Sequence, residues 1–213
     1  MEAEHVDLTL LKRLYSEREL IVKDIAKYKS QLKQEEGFHT QTYFKQKKKR
    51  ILKLMKYNDN VLQEIEKEID IILISNAEIK NNFEIITSIS GVGKQTALIT
   101  IISTSNFTKF ENPRQFACHA GCAPFKYESG TSRTSKNKVS NRANKDIKKI
   151  FHMAALSSLR TKGEMRQYFD RKVAEGKNKM TVINAIRSKL IHRIFVLVKE
   201  NRKYDKNYIH SLA

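Results

Sequence analysis

The chain has 213 residues, with 41 Lys and Arg against 23 Asp and Glu, giving a formal net charge of +18. That excess is far larger than solubility requires and points to a polyanionic partner, nucleic acid before a membrane surface. Hydrophobic residues at 40% are enough for a packed core and one to two domains, two cysteines argue against a secreted disulfide framework, and 8% aromatics with no Trp give no hint of a cofactor pocket. No cleavable signal peptide and no apolar run of about 18 residues is found. The greasiest stretch, Ile191 to Val198, is interrupted by His192 and Arg193. A cytoplasmic protein with no membrane association is expected.

The first strong pattern is helical. Leu11, Leu14, Arg18, Ile21, Ile25, Tyr28 and Leu32 alternate spacings of three and four, with Arg18 the one polar intruder on the seam. A polar stretch, Gln34 to Thr42, contains Gly37 and separates this run from a second: Ile51, Met55, Asn58, Leu62, Ile65, Ile69 and Ile72. Two such helices joined by a short link predict an antiparallel coiled-coil hairpin over residues 1–80, with Asn58 able to set register. Its expected role is homo-oligomerisation or spacing rather than catalysis.

Between Lys45 and Lys56 lie seven Lys or Arg and no acid, centred on Lys47, Lys48, Lys49 and Arg50. A run of this kind is either a solvated face or a phosphate-contacting one.

From Phe83 to Ile102 the chain reads as apolar helix, glycine-flanked turn and apolar helix. Gly91 and Gly93 are expected to take positive φ and allow close backbone approach, leaving amides at the start of the next helix, by Lys94, for an anion. Ile89-Ser-Gly-Val-Gly93 with Ala97 resembles the helix-hairpin-helix motif, a sequence-independent binder of the DNA backbone; the alternative is a plain turn between packed helices. The spacing is not that of a nucleotide P-loop, so Lys94 is not read as an ATP ligand.

Asn112-Pro113 reads as an N-cap with proline at the first helical position, and Gly121 as the end of that short helix. Cys118, His119 and Cys122 lack a second ligand pair at zinc spacing, so buried packing is the expected role and no metal is assigned.

The segment from Phe125 to Lys145 is rich in hydroxyls and cations, and is expected to form a basic loop or small β-hairpin near 124–136. Lys126 to Lys149 carries eight Lys or Arg against Glu128 and Asp146. Serine chemistry on DNA needs an exposed hydroxyl, cations that stabilise a phosphorane-like transition state, and a proton acceptor. Ser129 beside Gly130 meets the first need; Arg133, Lys136, Lys138, Arg142 and Lys145 are available for the second; the acceptor is not evident. On composition alone, a phosphate-binding loop is the commoner meaning of such a stretch.

In order, Ile89-Ser-Gly-Val-Gly93, Phe116-Ala-Cys-His-Ala-Gly-Cys-Ala-Pro124, Glu128-Ser-Gly130, Ser140-Asn-Arg-Ala-Asn144 and Ala154-Ala-Leu156 resemble the C-terminal domain of one bacterial group. These are the insertion-sequence transposases that pair a RuvC-like domain with a serine-bearing domain, a layout that the pilin-gene DNA invertases share. The resemblance runs from about Phe83 to Val198, and the upstream helices resemble the coiled coil that precedes that domain. It implies a recombinase in which Ser129 attacks DNA and forms a covalent link. It also implies an acidic, divalent-metal-binding RuvC-like domain and, in some members, a structured guide RNA.

Here Met1 to Asp7 lead straight into the first helix, so no metal site is carried over, and a divalent metal is expected only in a RuvC-like partner. Two departures stand out: where the family's usual run is Ser-Lys-Arg-Gly-Asn, Asn141 replaces the lysine and Ala143 the glycine.

Ile150, Phe151, Ala154, Ala155 and Leu159, then Ile183, Ile186, Leu190, Ile194 and Leu197, predict two further packed helices within a compact domain over 81–200. His152 and His192 on them are expected to be packing or surface residues. A basic tail, 201–213, is expected to stay mobile or touch nucleic acid. The whole is expected to be mainly α: a DNA-binding transposase fragment or subunit completed by a separate RuvC-like polypeptide, or else a non-catalytic DNA- or RNA-binding oligomerisation module derived from one.

Overall fold

The computed structural model describes residues 2–36, 41–124 and 142–205. The fold is mainly α, and the described residues form eight helices and no strand. The chain divides into two compact units after Ala77.

The first unit consists of α1 (Glu2–Glu35) and α2 (Gln41–Ser75). Asn76 Nδ2 donates to Asp7 at 3.1 Å, Arg18 Nε to Glu66 at 2.9 Å, and Lys47 Nζ to Glu35 at 2.5 Å, so one helix ascends as the other descends. The seam read from the sequence is the buried one: Leu11, Leu14, Ile25, Ile51, Ile65, Ile69 and Ile72 are all buried. Arg18, the polar intruder, reaches out of the seam to Glu19 and Glu66. Its charge is thereby answered at the edge of the apolar contact rather than inside it.

The second unit begins with α3 (Ala77–Thr87) and continues through α4 (Lys94–Thr104), α5 (Pro113–His119), α6 (Lys145–Arg160), α7 (Glu164–Ala174) and α8 (Lys179–Lys199). Helix α8 is its hub, packing on α5, α6 and α7, while α4 lies on α6. Val182, Ile183, Ile186, Leu190, Ile191, Ile194 and Leu197 are buried, a face that covers about half the circumference of α8. Phe116 of α5 is fully buried at the centre of an aromatic cluster. Its ring lies 5.4 Å from Phe110, 6.2 Å from Phe151 and 5.7 Å from Phe195, with edge-on geometry toward the first two.

Side-chain caps fix three helix starts. Asn112 Oδ1 accepts from the Gln115 amide with Pro113 at the first turn, Asn144 Oδ1 accepts from Asp146 and Ile147, and Asn178 Oδ1 accepts from Met180. Gly121, at φ 65°, follows α5 as expected. Between α4 and α5 three successive residues, Ser105, Asn106 and Phe107, adopt left-handed backbone at φ 48°, 52° and 68°. Buried Asn106 holds this turn: it accepts from Asn82 Nδ2 at 2.8 Å and donates to Glu78 at 2.9 Å.

The start of the expected basic tail is instead tied to α3. Asn81 Nδ2 donates to Asn201 at 2.7 Å, Lys203 pairs with Glu84 at 2.9 Å, and the Tyr204 amide donates to Ser88 Oγ at 2.8 Å. Arg193 stacks over the Tyr204 ring at 4.9 Å. Asn201, Lys203 and Tyr204 are thus fastened by backbone and side-chain bonds, while residues 206–213 of the expected tail lie outside the described residues.

Candidate nucleic-acid interface

The strongest one-signed surface of the first unit is on α2. Lys45, Lys49 and Lys53 form one row at helical spacing, and Lys48, Leu52 and Lys56 form the next. Together they line a shallow concavity of about 450 Å³. Leu52 is 48% exposed within this strip, so lysine stems and one leucine make an apolar floor under ammonium heads. Of the four cations at the centre of the expected cluster, Lys48, Lys49 and Arg50 are exposed. Lys47 differs: its ammonium lies 2.5 and 2.7 Å from the two Glu35 carboxylate oxygens, so its charge is already paired within the helix pair.

In the second unit the glycine turn joins α3 to α4, and its two glycines have different jobs. Gly91 takes the expected positive φ, 89°, but a Cβ there would lie 2.4 to 2.6 Å from the Ser158 N, Cα and Cβ of α6. Its close approach is thus to the protein's own helix, and a side chain is excluded by packing. Ser90 Oγ, 3.1 Å from Thr161 Oγ1, fastens the same turn to the end of α6. Gly93 corrects the sequence reading: its φ is −99°, in the extended N-cap position of α4, and a Cβ there would meet nothing within 4 Å. The exposed side of the turn is therefore at Gly93 and the half-buried Lys94 that follows it.

Helix α6 starts beside the end of α5, where the Asn144 amide donates to His119 O at 2.9 Å. Arg142 and Lys145 are exposed around this start, and Lys148 and Lys149 follow in the first turns. Ser129, Gly130, Arg133, Lys136 and Lys138 lie outside the described residues, as does the loop or hairpin expected near 124–136 from Phe125 onward.

Cys118 and Cys122 are free and buried. Among the described residues no three of His, Cys, Asp and Glu converge on a point where a metal could sit. Burial pushes the Cys122 thiol up to about 11, so it stays protonated at neutral pH. Burial, and then the charge of Lys109, draws His119 below the usual histidine value; its ring lies 5.5 Å from Phe110. His192 is exposed, with Nδ1 2.8 Å from Ser188 O.

Sequence reasoning missed Arg187. It sits among Ile183, Ile186 and Leu190 on the buried face of α8, is 4% exposed, and its Nη2 donates to His152 Nδ1 at 2.9 Å. The available signal was a lone arginine within an otherwise apolar helical stripe.

Among the described residues, no helix is long and apolar enough to cross a membrane. Residues 83–170 match the family model described as the transposase IS116/IS110/IS902 family. The chain is 24% identical over 156 residues to the pilin gene-inverting protein of Moraxella bovis, covering 73% of this chain and 48% of that protein. The pilin gene-inverting protein of Moraxella lacunata matches at the same identity and coverage. An uncharacterized 43.6 kDa protein of insertion element IS110 from Streptomyces coelicolor is 26% identical over 121 residues, 57% of this chain and 30% of its own. The chain thus spans about half the length of the pilin gene-inverting proteins that it matches. From the second half of α3 through α6 and into α7, the second unit is similar to that transposase family.

Proposed function

We infer that this chain binds DNA as part of a transposition or DNA-inversion system, and that Ser129 is its nucleophile. The match of residues 83–170 to the transposase family model carries the reading, because Ser129 and Gly130 fall inside that span. A net charge of +18 and the one-signed strip on α2 support DNA as the partner. The strip and the exposed cations at the start of α6 would hold backbone phosphates, which positions a duplex without reading its sequence.

In the proposed step, Ser129 Oγ gives up its proton and attacks a DNA phosphorus, and the deoxyribose hydroxyl leaves with a proton. One phosphate ester is exchanged for another, so the linkage is conserved for rejoining. The described residues do not assemble a ligand set for a divalent metal, and no step here passes through one. A separate RuvC-like polypeptide is proposed as the partner that completes the reaction, and the α1–α2 pair as the surface for self-association.

The test is incubation of the chain with DNA ends of an insertion element, with and without a RuvC-like polypeptide, followed by a denaturing gel. A covalent adduct that disappears in Ser129→Ala supports the serine. Binding without an adduct in either arm leaves a DNA-binding module with no catalytic step of its own.

A further inference from the structure

Arg187 is the most unusual charge in the second unit. It is 4% exposed, its Nε is buried without a hydrogen-bond partner, and no carboxylate pairs with it among the described residues. The one polar contact of its guanidinium there is with a neutral acceptor, His152 Nδ1, at 2.9 Å. Cys122 lies close enough to feel both Arg187 and Lys148, but its thiol is held protonated by burial and supplies no negative charge. An arginine keeps its proton even when burial lowers its pKa, as it does here. A buried cation left unanswered is costly, and a protein that retains one has a use for an anion at that place.

The neighbours are arranged for such a ligand. Because Arg187 donates to Nδ1, a neutral His152 must carry its proton on Nε2. His152 is half-buried, so part of the arginine–imidazole couple reaches the surface. Lys148 is one turn before His152 on the same face of α6, and its charge also acts at Cys122. Arg187 of α8 is thus in direct contact with His152 of α6, and Lys148 lies one helical turn from His152.

We propose that Arg187, His152 and Lys148 form a binding site for one phosphate oxyanion, occupied in function by a backbone phosphodiester of DNA. The identity of the occupant rests on the DNA reading above; the site itself does not. Arg187 is the buried anchor, its charge answered when a phosphate oxygen arrives. His152 is a positioning donor, and its engaged Nδ1 bars it from acting as a base through that atom.

Two probes separate the sources of phosphate. With inorganic phosphate against chloride at matched ionic strength, the melting temperature of the full chain rises, and that rise is lost in Arg187→Met. Methionine fills a similar volume without charge, so the variant is expected to fold at least as stably as the parent. With a DNA duplex, Arg187→Met lowers affinity by about tenfold, the size of one charge-assisted contact, and makes the slope of log affinity on log salt shallower by about one. Lys148→Met, at a half-buried position that does not test core packing, gives a smaller loss in both assays.

Equal phosphate stabilisation of parent and both variants, with unchanged DNA affinity and slope, overturns the site. If Arg187→Met does not fold, an unchanged response in Lys148→Met overturns it equally. If phosphate protects the parent but not the variants while no duplex binds at all, the DNA reading fails and the oxyanion site stands.

Discussion

The two units solve the same problem, burying helix faces, in opposite ways. In the α1–α2 pair each helix buries one stripe and gives the rest of its circumference to water, so the packing repeats along the seam and no single position is unique. In the second unit α8 is enclosed by three other helices, and the fit depends on particular shapes: a fully buried Phe116, a Gly91 with α6 against it, an Asn106 that holds a left-handed turn. Charge follows the same division. The arm's lysines are held out on a surface strip, whereas Arg187 is held in. A repeating interface tolerates local change, and an enclosed one does not.

The sharpest way to break this contrast is at Phe116. Phe116→Ala empties the aromatic cluster and is expected to destabilise the second unit by about 4 kcal/mol, read by denaturant unfolding. Gly91→Ala comes next. It forces a Cβ onto the Ser158 backbone at a positive φ and should cost on the order of 3 kcal/mol, whereas Gly93→Ala should cost under about 1 kcal/mol. Equal effects at the two glycines would mean that the turn packs on α6 less tightly than described.

For the arm the expected change is in binding. Joint replacement of Lys48, Lys49, Lys53 and Lys56 by Ala should flatten the salt dependence of DNA affinity by about 0.9 for every phosphate no longer neutralised, while Lys47→Ala leaves the slope unchanged. Asn112→Ala, which removes the α5 cap, should lower stability by about 1 kcal/mol.

The smallest effect is a pH dependence at His119. Burial lowers its pKa below the ordinary histidine value of 6.5, so the folded state prefers the neutral ring. Its stabilising share is present above 6.5 and is lost as pH falls from there toward the lowered value. Melting temperatures taken across that window should drop less steeply in His119→Gln.

These contrasts also explain what the sequence could disclose. Where a helix buries a single stripe, period alone is enough, and the α1 and α2 seams are the ones read from Leu11, Ile25, Ile65 and Ile69. The Asn112-Pro113 cap was legible for a similar local reason, since the side chain and the amide it caps are neighbours in the chain. What escaped depends on long-range packing. Ser158, rather than Leu159, completes the buried face of α6 because Gly91 stands against it, and nothing in the local pattern announces that. The left-handed run at Ser105 to Phe107 contains no glycine and is stabilised from α3. Lys47 looked like its neighbours until Glu35 met it. For the candidate site, the basic strip and the turn were visible as composition, but the division of labour between Gly91 and Gly93 was not. Arg187 was hidden by its own apolar company.

The bonds that fasten residues 201–204 to α3 have an engineering corollary. Asn81 and Asn201, near the beginning and end of the second unit's described helical body, share a hydrogen bond of 2.7 Å. A body whose two ends meet in this way is suited to circular permutation: with α1 and α2 removed, a short linker across that junction and new termini opened in an exposed turn such as the one before α7 would keep α3 to α8 in place.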